Sequence, residues 1–395
     1  MLPFIDLNAQ FTRLEKDIRA RIDAVLAHGQ YVMGPEIAEL EAQLAAFAGV
    51  RHCIGCASGT DALFMALLAH GIGPGDAIFT TPFTFIATAE VISLCGATPI
   101  FVDIDPKTYN IDPDKLQRAV TALQENDPAI YPLPRNAEHR TLHGEPAVTA
   151  KAVITVDLFG LPCDYDRINA IAQKEGLHVI EDAAQGFGGV YRGKRACSCG
   201  TIGCTSFFPA KPLGCYGDGG AVFTDDNMIA DILRSILIHG KGEDKYENVR
   251  IGLNARLDTL QAAILLPKLA VFPEELRQRQ RVADEYTERL SDLGSLVTPP
   301  SVPEGYESAW AQYSVLSDRR TDIQKGLQEE GIPTAIYYPK PLHLQTAFSF
   351  LGYHKGDMPV SEACAARIFS LPMHPYLKTR EIDRICACIK KIIEK

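Results

Sequence analysis

Short apolar runs rich in branched side chains alternate with longer helical stretches over the first part of the chain. The runs cover residues 77–80, 99–103, 152–157, 178–181, 205–208 and 221–224. Such alternation is typical of βαβ units, which build a mostly parallel sheet with helices on both faces. Ligands bind such sheets beyond the carboxyl ends of the strands. The pattern therefore predicts an α/β fold and indicates the edge of the sheet where functional residues should lie.

The chain has 395 residues, a length that usually divides into about two domains. A helix is predicted over 36–48, ended by Gly49, and another over 258–269; Pro273 then separates the latter from a charged helix over 276–293. We expect a large domain over 1–266 and a smaller α+β C-terminal domain over 267–395. The latter should contain a strand at 312–316 and helices at 320–330 and 380–393. The polar, proline-bearing stretch at about 126–148 indicates a surface insertion.

Charge and hydropathy argue against several classes of partner. The formal net charge of -10 repels nucleic acid and anionic membranes. No run of 18 apolar residues occurs, and the first six residues lack a basic leader segment, so we expect a cytoplasmic protein without a membrane span. Eleven cysteines form no even framework of a small secreted domain and are interpreted as reduced thiols. Cys53, Cys56, Cys197 and Cys199 could together form a zinc site, but the spacing of zinc ribbons is missing, and no metal is predicted.

Residues 56–63 place small residues and hydroxyls just ahead of an apolar helical run. The free N–H groups at a helix start suit a phosphate, and Gly59 lets the backbone approach a ligand closely. The alternative is a plain helix cap at Ser58 or Thr60.

A buried strand predicted over 177–181 ends in two carboxylates, Glu181 and Asp182, followed by small residues and Gln185. A pyridine nitrogen bound against Asp182 would stay protonated, because a nearby opposite charge favours the charged form. By strand alternation, Glu181 should face the other way and pair with a cation.

Residues 205–220 hold the strongest signal in the sequence. A strand delivers Ser206, and five residues later Lys211 stands among apolar and glycine residues. A lysine in such surroundings loses hydration, which lowers its pKa and makes the neutral amine available for carbonyl chemistry. A solvated surface lysine is the alternative, and the neighbouring residues argue against it.

Five segments together resemble the DegT/DnrJ/EryC1/StrS family of sugar aminotransferases. They are residues 58–63, 84–88, 181–185, 206–220 and 254–258, and their order and spacing match over nearly the whole chain. The resemblance implies pyridoxal-phosphate-dependent transferase fold type I, like that of aspartate aminotransferase. It also implies a homodimer with active sites at the subunit interface, and pyridoxal 5'-phosphate as cofactor.

The resemblance also implies roles for residues around the cofactor ring. Lys211 binds the cofactor covalently and, once displaced by the amino donor, acts as the catalytic base. Asp182 binds the pyridine nitrogen, Gln185 bonds to the ring hydroxyl, and Phe85 stacks on the ring. The family includes dehydratases with histidine at the lysine position, which Lys211 disfavours.

For the cofactor phosphate, the resemblance implies a site made by two subunits. Gly59, Thr60 and Ser206 contribute from one subunit, and Asn254 contributes from the partner subunit.

The implied reaction transfers an amino group from glutamate to a nucleotide-linked keto-sugar. Residues 29–36, 206–220 and 249–261 look most like the branch acting on UDP-linked 2-acetamido-2-deoxy-3-keto-hexuluronic acid, whose 3-amino product enters surface polysaccharide such as the lipopolysaccharide O-antigen. A desolvated sugar carboxylate needs a cation. We expect Arg256 to be that cation, with Arg250 and Lys340 as secondary candidates. Tyr337 and Tyr338 should line the sugar site, at positions where that branch often has His-Tyr. For Arg256 the alternative is a structural ion pair with Asp258 or Asp61.

Other functions stay open at this point. The substrate could be a neutral UDP- or dTDP-linked 3- or 4-keto-6-deoxy sugar. A non-catalytic regulatory protein with the same fold is disfavoured by intact Lys211, Asp182 and Gln185. Another fold type I enzyme, such as a desulfurase or an amino-acid transaminase, lacks support because no clear counterpart of the arginine that binds an α-carboxylate is found.

Overall fold

A computed structural model describes residues 2–135, 137, 148–244 and 246–394. The helices are α1 (Leu7–His28), α2 (Pro35–Ala48), α3 (Gly59–Ala69), α4 (Ala87–Leu94), α5 (Pro113–Glu125), α6 (Tyr165–Glu175), α7 (Asn227–Ile236), α8 (Thr259–Leu290), α9 (Arg320–Glu329), α10 (Pro359–Arg367) and α11 (Thr379–Ile393). The strands are β1 (His52–Cys56), β2 (Asp76–Thr80), β3 (Thr98–Phe101), β4 (Thr149–Val156), β5 (His178–Asp182), β6 (Val190–Tyr191), β7 (Lys194–Arg195), β8 (Ile202–Ser206), β9 (Gly220–Thr224), β10 (Tyr306–Glu307), β11 (Tyr313–Leu316) and β12 (Ile368–Leu371).

In the described residues, a 7-stranded sheet has the order β1-β9-β8-β5-β4-β2-β3. Neighbouring strands from β8 to β3 are parallel, whereas β9 runs antiparallel to both β8 and β1. Apolar side chains on both faces of these strands are buried against helices, which explains why the runs read as continuous rather than alternating. The predicted α/β class with a mostly parallel sheet is confirmed.

The C-terminal part contains a separate apolar core between α8, α9, α11 and the pair β11·β12. The strand and the two helices expected there are present as β11, α9 and α11. The break expected at Pro273 is wrong, because α8 runs unbroken from Thr259 to Leu290 with Pro267 and Pro273 inside it. Buried side chains on both sides of Pro273, Phe272 and Val282 among them, hold this helix in place despite the lost N–H. The domain boundary at residue 266 stays a prediction.

The strand β1 escaped the sequence prediction because its Cys-Ile-Gly-Cys run is short and poor in branched residues. The expected surface insertion at 126–148 lies partly outside the described residues. At its described start, Tyr131 and Leu133 turn inward and are buried, and the Tyr131 hydroxyl accepts a hydrogen bond from the Asp103 amide at 2.8 Å.

Three observations bear on partners and ligands of the described part of the chain. None of its helices is both long and apolar enough to cross a membrane. It holds no group of three or more His, Cys, Asp or Glu side chains arranged to bind a metal. Its eleven cysteines are free thiols, nine of them buried.

Candidate active site

The carboxyl ends of β4, β5 and β8 meet at one edge of the sheet. Register pairs Val156 with Asp182, and Asp182 with Cys204, so that Asp157, Asp182 and Ser206 follow one another across neighbouring strand ends. Side chains predicted to bind one ligand are therefore brought to one edge of the sheet, as expected for this fold class.

The start of α3 packs directly on the end of β8. Ser58 caps the helix, its Oγ accepting a hydrogen bond from the Asp61 amide at 3.0 Å. A Cβ atom added to Gly59 would lie 2.6 Å from Cβ of Ser206, so only glycine allows this approach. The first-turn amides of Gly59 and Thr60 have no carbonyl partner within the helix. The arrangement offers backbone donors and the Ser206 hydroxyl to one anion. The start of α3 is therefore both a helix capped by Ser58 and a candidate anion site, the two interpretations that the sequence left open.

Asp182 is almost fully buried and is held by two donors. The Thr88 hydroxyl donates to its Oδ2 at 2.8 Å, and the Ala184 amide donates to its Oδ1 at 3.2 Å. The Thr88 hydroxyl lies 3.1 Å from that of Thr84. Burial raises the pKa of Asp182, while Thr88, the Ala184 amide and the charge of Lys211 act in the opposite direction. A buried carboxylate of this kind calls for a cationic partner, such as a protonated ring nitrogen.

Lys211 lies in the loop between β8 and β9, close enough to Asp182 for their charges to interact. Burial lowers the pKa of Lys211, and the charge of Asp182 partly offsets that effect. From α8, the fully buried Lys268 donates to the Gly214 carbonyl at 2.6 Å and thus fixes the loop. The predicted environment of Lys211 is therefore present. The sequence does not distinguish Lys268, which is one lysine in a long helical run.

Gln185 joins the site to the C-terminal part of the chain. Its Oε1 accepts the Phe159 amide at 2.8 Å, and its Nε2 donates to the Tyr338 hydroxyl at 3.1 Å. The ring of Phe85 is 56% exposed and lies 6.4 Å from the ring of Tyr338 at an angle of 39°. An exposed aromatic face beside buried polar groups is what a flat ring needs for stacking.

Among the described residues Glu181 has no cationic partner, so the pairing expected from strand alternation is wrong. It does face away from Asp182, but its carboxylate accepts backbone amides from a tight turn, namely Cys197 at 2.5 Å, Cys199 at 3.0 Å and Gly200 at 3.4 Å. Backbone donors satisfy a buried carboxylate as a cation would, and the sequence gives no sign of that turn.

The candidate sugar contacts are spread over two places. Arg256 pairs with Cys56 at the end of β1, and Asn254 pairs with Ile238 just after α7. Arg256 donates to Asn254 Oδ1 through Nε at 3.0 Å and Nη2 at 2.6 Å. In the described residues Arg256 has no ion pair with Asp61 or Asp258, so its charge is not neutralised there. Arg250 lies exposed in the preceding loop.

The other predicted contacts lie on the C-terminal side of the site. Tyr338 touches Gln185, whereas the ring of Tyr337 turns toward Phe4, with ring centroids 6.4 Å apart. Lys340 is exposed beyond them, and its carbonyl accepts Gln345 Nε2 at 3.2 Å.

These groups fit pyridoxal phosphate. Gly59, Thr60 and Ser206 would hold the phosphate, Asp182 would face the ring nitrogen, and the amine of Lys211 would be available for covalent attachment. Thr88 adds to the predicted set. The segment 84–88 is part of the family resemblance, but the contact of the Thr88 hydroxyl with Asp182 joins residues that are distant in the sequence.

Comparison with known proteins gives a family match over nearly the whole chain. The model of the DegT/DnrJ/EryC1/StrS aminotransferase family matches residues 12–390. The UDP-2-acetamido-2-deoxy-3-oxo-D-glucuronate aminotransferase of Pseudomonas aeruginosa is 48% identical over 98% of this chain and 99% of its own length. A pleiotropic regulatory protein of Geobacillus stearothermophilus is 40% identical over 100% of this chain and 98% of its own length.

Solved structures agree with these matches. A DegT DnrJ EryC1 StrS aminotransferase from Brucella abortus superimposes with a TM-score of 0.92 and is 50% identical, with 100% of both chains covered. The Bacillus subtilis protein NtdA, solved with bound cofactor PMP, has a TM-score of 0.86 and 29% identity, covering 100% of this chain and 85% of its own.

Proposed function

The chain belongs to the DegT/DnrJ/EryC1/StrS aminotransferase family and is a pyridoxal-phosphate-dependent aminotransferase of fold type I, and we propose that it transfers an amino group from glutamate to UDP-2-acetamido-2-deoxy-3-oxo-D-glucuronic acid. The observation that carries the substrate assignment is the full-length relative with 48% identity that acts on this uronate. The product is a 3-amino sugar for surface polysaccharide such as the lipopolysaccharide O-antigen. Eleven free thiols support a reducing, cytoplasmic setting.

The residues described above can perform the proton and charge handling of transamination. When bound, pyridoxal phosphate supplies an electron sink through its protonated ring. Asp182 holds that ring proton in place by its charge. Lys211, with a lowered pKa, is suited to accept a proton from the α-carbon of the amino donor and to deliver one to the sugar carbon in the second half-reaction. Gln185 would orient the cofactor by a hydrogen bond to the hydroxyl of the pyridine ring. The exposed ring of Phe85 would cover one face of the cofactor.

Arg256 is our candidate for the sugar carboxylate. Its guanidinium binds a neutral amide oxygen of Asn254 and no carboxylate in the described part of the chain, so a charge remains for an acidic ligand. Arg250 and Lys340 are secondary candidates, and Tyr337 and Tyr338 line the cofactor side of the sugar site in this proposal.

We further propose a homodimer with shared active sites, in which Asn254 of the partner subunit joins Gly59, Thr60 and Ser206 around the phosphate. Exposed apolar side chains near Asn254 support this arrangement, among them Ile251 at 90% exposure. Such side chains are expected at an interface rather than in contact with water.

Two alternatives are separated from this proposal by chemistry. Neutral dTDP- or UDP-linked keto-6-deoxy sugars lack the sugar carboxylate that Arg256 is proposed to bind. A purely regulatory role is suggested by the Geobacillus relative, which is a pleiotropic regulatory protein, but Lys211, Asp182 and Gln185 are all in place for catalysis.

The test is a panel of nucleotide keto-sugars incubated with glutamate and read by product mass. We expect the 3-keto-uronate to exceed neutral 4-keto-6-deoxy sugars by at least roughly 100-fold in kcat/KM, since a neutral sugar leaves the half-buried guanidinium of Arg256 without a carboxylate to bind. Arg256→Met should narrow that preference, and Arg167→Met, which alters a half-exposed arginine on α6 outside the site, is its matched control. Equal turnover of a neutral sugar refutes the uronate assignment and leaves the aminotransferase intact.

A further inference from the structure

Two carboxyl groups, Asp157 and Glu181, lie side by side beneath the candidate active site. Both are fully buried and lie on adjacent strand ends, close enough for their charges to interact. Neither has a cationic partner in the described part of the chain. Two ionised carboxylates in contact without a cation are strongly unfavourable in a protein interior, so one of them must carry a proton.

The hydrogen bonds of the two carboxyl groups show which of them carries the proton. Both oxygens of Glu181 accept backbone amides, as described above, which is the pattern of an ionised carboxylate. Asp157 Oδ1 also accepts two bonds, from the Cys163 amide at 3.0 Å and the Tyr165 hydroxyl at 2.8 Å. Asp157 Oδ2 alone meets no donor among the described residues, although it is buried.

We infer that Asp157 is protonated in the folded protein and donates its proton from Oδ2 to the carboxylate of Glu181. The pair then carries one negative charge in place of two, and every oxygen has a partner. Burial and the charge of Glu181 both raise the pKa of Asp157, in agreement with this assignment. The groups that face the pair are the thiols of Cys163, Cys197 and Cys199 and the phenol of Tyr165, and burial raises the pKa of each of these.

The pair positions Gln185. A Cβ atom added to Gly186 would lie 2.4 Å from Cβ of Asp157, so the segment after Asp182 rests directly on this side chain. The Asp157 carbonyl accepts the Gly160 amide at 3.3 Å in the turn that presents the Phe159 amide to Gln185 Oε1. Because Oε1 is occupied by that amide, Nε2 must face Tyr338 and the cofactor side. Asp157 is thus a positioning residue for cofactor binding.

The decisive experiment compares Asp157→Asn with Asp157→Ala. Asparagine reproduces a protonated aspartic acid, because its amide donates to Glu181 and its carbonyl accepts from Cys163 and Tyr165. We expect Asp157→Asn to keep pyridoxal-phosphate affinity within about threefold of wild type, whereas Asp157→Ala weakens it by about tenfold or more.

A second readout needs neither cofactor nor correct folding of the alanine variant. The infrared difference spectrum of the cofactor-free wild type minus Asp157→Asn, at neutral pH, should contain the carbonyl stretch of one protonated carboxylic acid. Asp166→Asn, which alters an exposed aspartate, should show none. Absence of the acid band at Asp157, or an asparagine variant as impaired as the alanine variant, overturns the inference. The test involves no sugar, so its failure is distinct from failure of the uronate proposal.

Discussion

The hydroxyl of Thr88 stabilises the ionised form of Asp182, and its removal should weaken cofactor binding measurably. Thr88→Val keeps the shape of the side chain and deletes a 2.8 Å hydrogen bond to a buried carboxylate. Bonds to charged groups are worth about 1.5–3 kcal/mol, and the Ala184 amide at 3.2 Å is the other donor to Asp182. The pKa of Asp182, already raised by burial, should rise further in this variant. Its carboxylate would then attract the protonated ring nitrogen of the cofactor less strongly. We expect pyridoxal-phosphate affinity to fall by about 10-fold to 100-fold.

The assay is a titration of cofactor-free protein with pyridoxal phosphate, followed by absorbance, for three variants. Thr88→Ser keeps the hydroxyl and should stay within about threefold of wild type. Thr84→Val removes only the group that contacts Thr88 at 3.1 Å, so its effect should be about 2-fold to 10-fold. If Thr88→Val binds the cofactor as tightly as Thr88→Ser, the hydroxyl does not support Asp182 and the reasoning fails.

Three further predictions follow from other residues. Lys211→Ala should lose covalent cofactor attachment, read by mass after borohydride reduction, and transamination by several orders of magnitude; turnover within about tenfold of wild type contradicts its role. Mixed Lys211→Ala and Asn254→Asp subunits should recover activity that neither variant has alone, and no recovery despite demonstrated subunit exchange argues against shared sites. Burial lowers the pKa of His374 to about 4, below its unfolded value, so its stabilising contribution is complete above about pH 6.5 and is lost as pH falls toward 4. His374→Gln should therefore abolish about 3 kcal/mol of that acid-induced loss in urea unfolding, and parallel pH profiles for the two proteins would exclude this role.

The chemistry of the site was accessible from the sequence because it depends on local patterns. A carboxylate that ends an apolar strand, a lysine among glycines and a hydroxyl-rich helix start each occur within a few residues, so Asp182, Lys211 and Gly59 could be proposed without knowledge of the packing. The contacts that hold these residues in place could not be predicted from the sequence, because they join residues that are far apart along the chain. Thr88 is 94 residues from Asp182, and Lys268 is 54 residues from Gly214 along the chain.

The errors have similar physical origins. A cation was expected beside Glu181 because charge pairing is a familiar way to bury a carboxylate, yet backbone amides of the turn after β7 do so instead. Pro273 predicts a helix end because proline lacks an N–H, yet buried side chains on both sides keep α8 continuous. In both cases the tertiary environment decided what local propensity could not.

The bond from Gln185 to Tyr338 has a consequence for engineering this enzyme. Exchange of the C-terminal region with that of a relative is an obvious route to a new sugar preference, yet that region supplies the hydroxyl that Gln185 Nε2 contacts at 3.1 Å. A chimera that brings in a different side chain at position 338 alters the cofactor side of the pocket together with the sugar side. Grafts should therefore retain Tyr338 and replace only the residues beyond it, so that recognition of the sugar can change while the cofactor keeps its orientation.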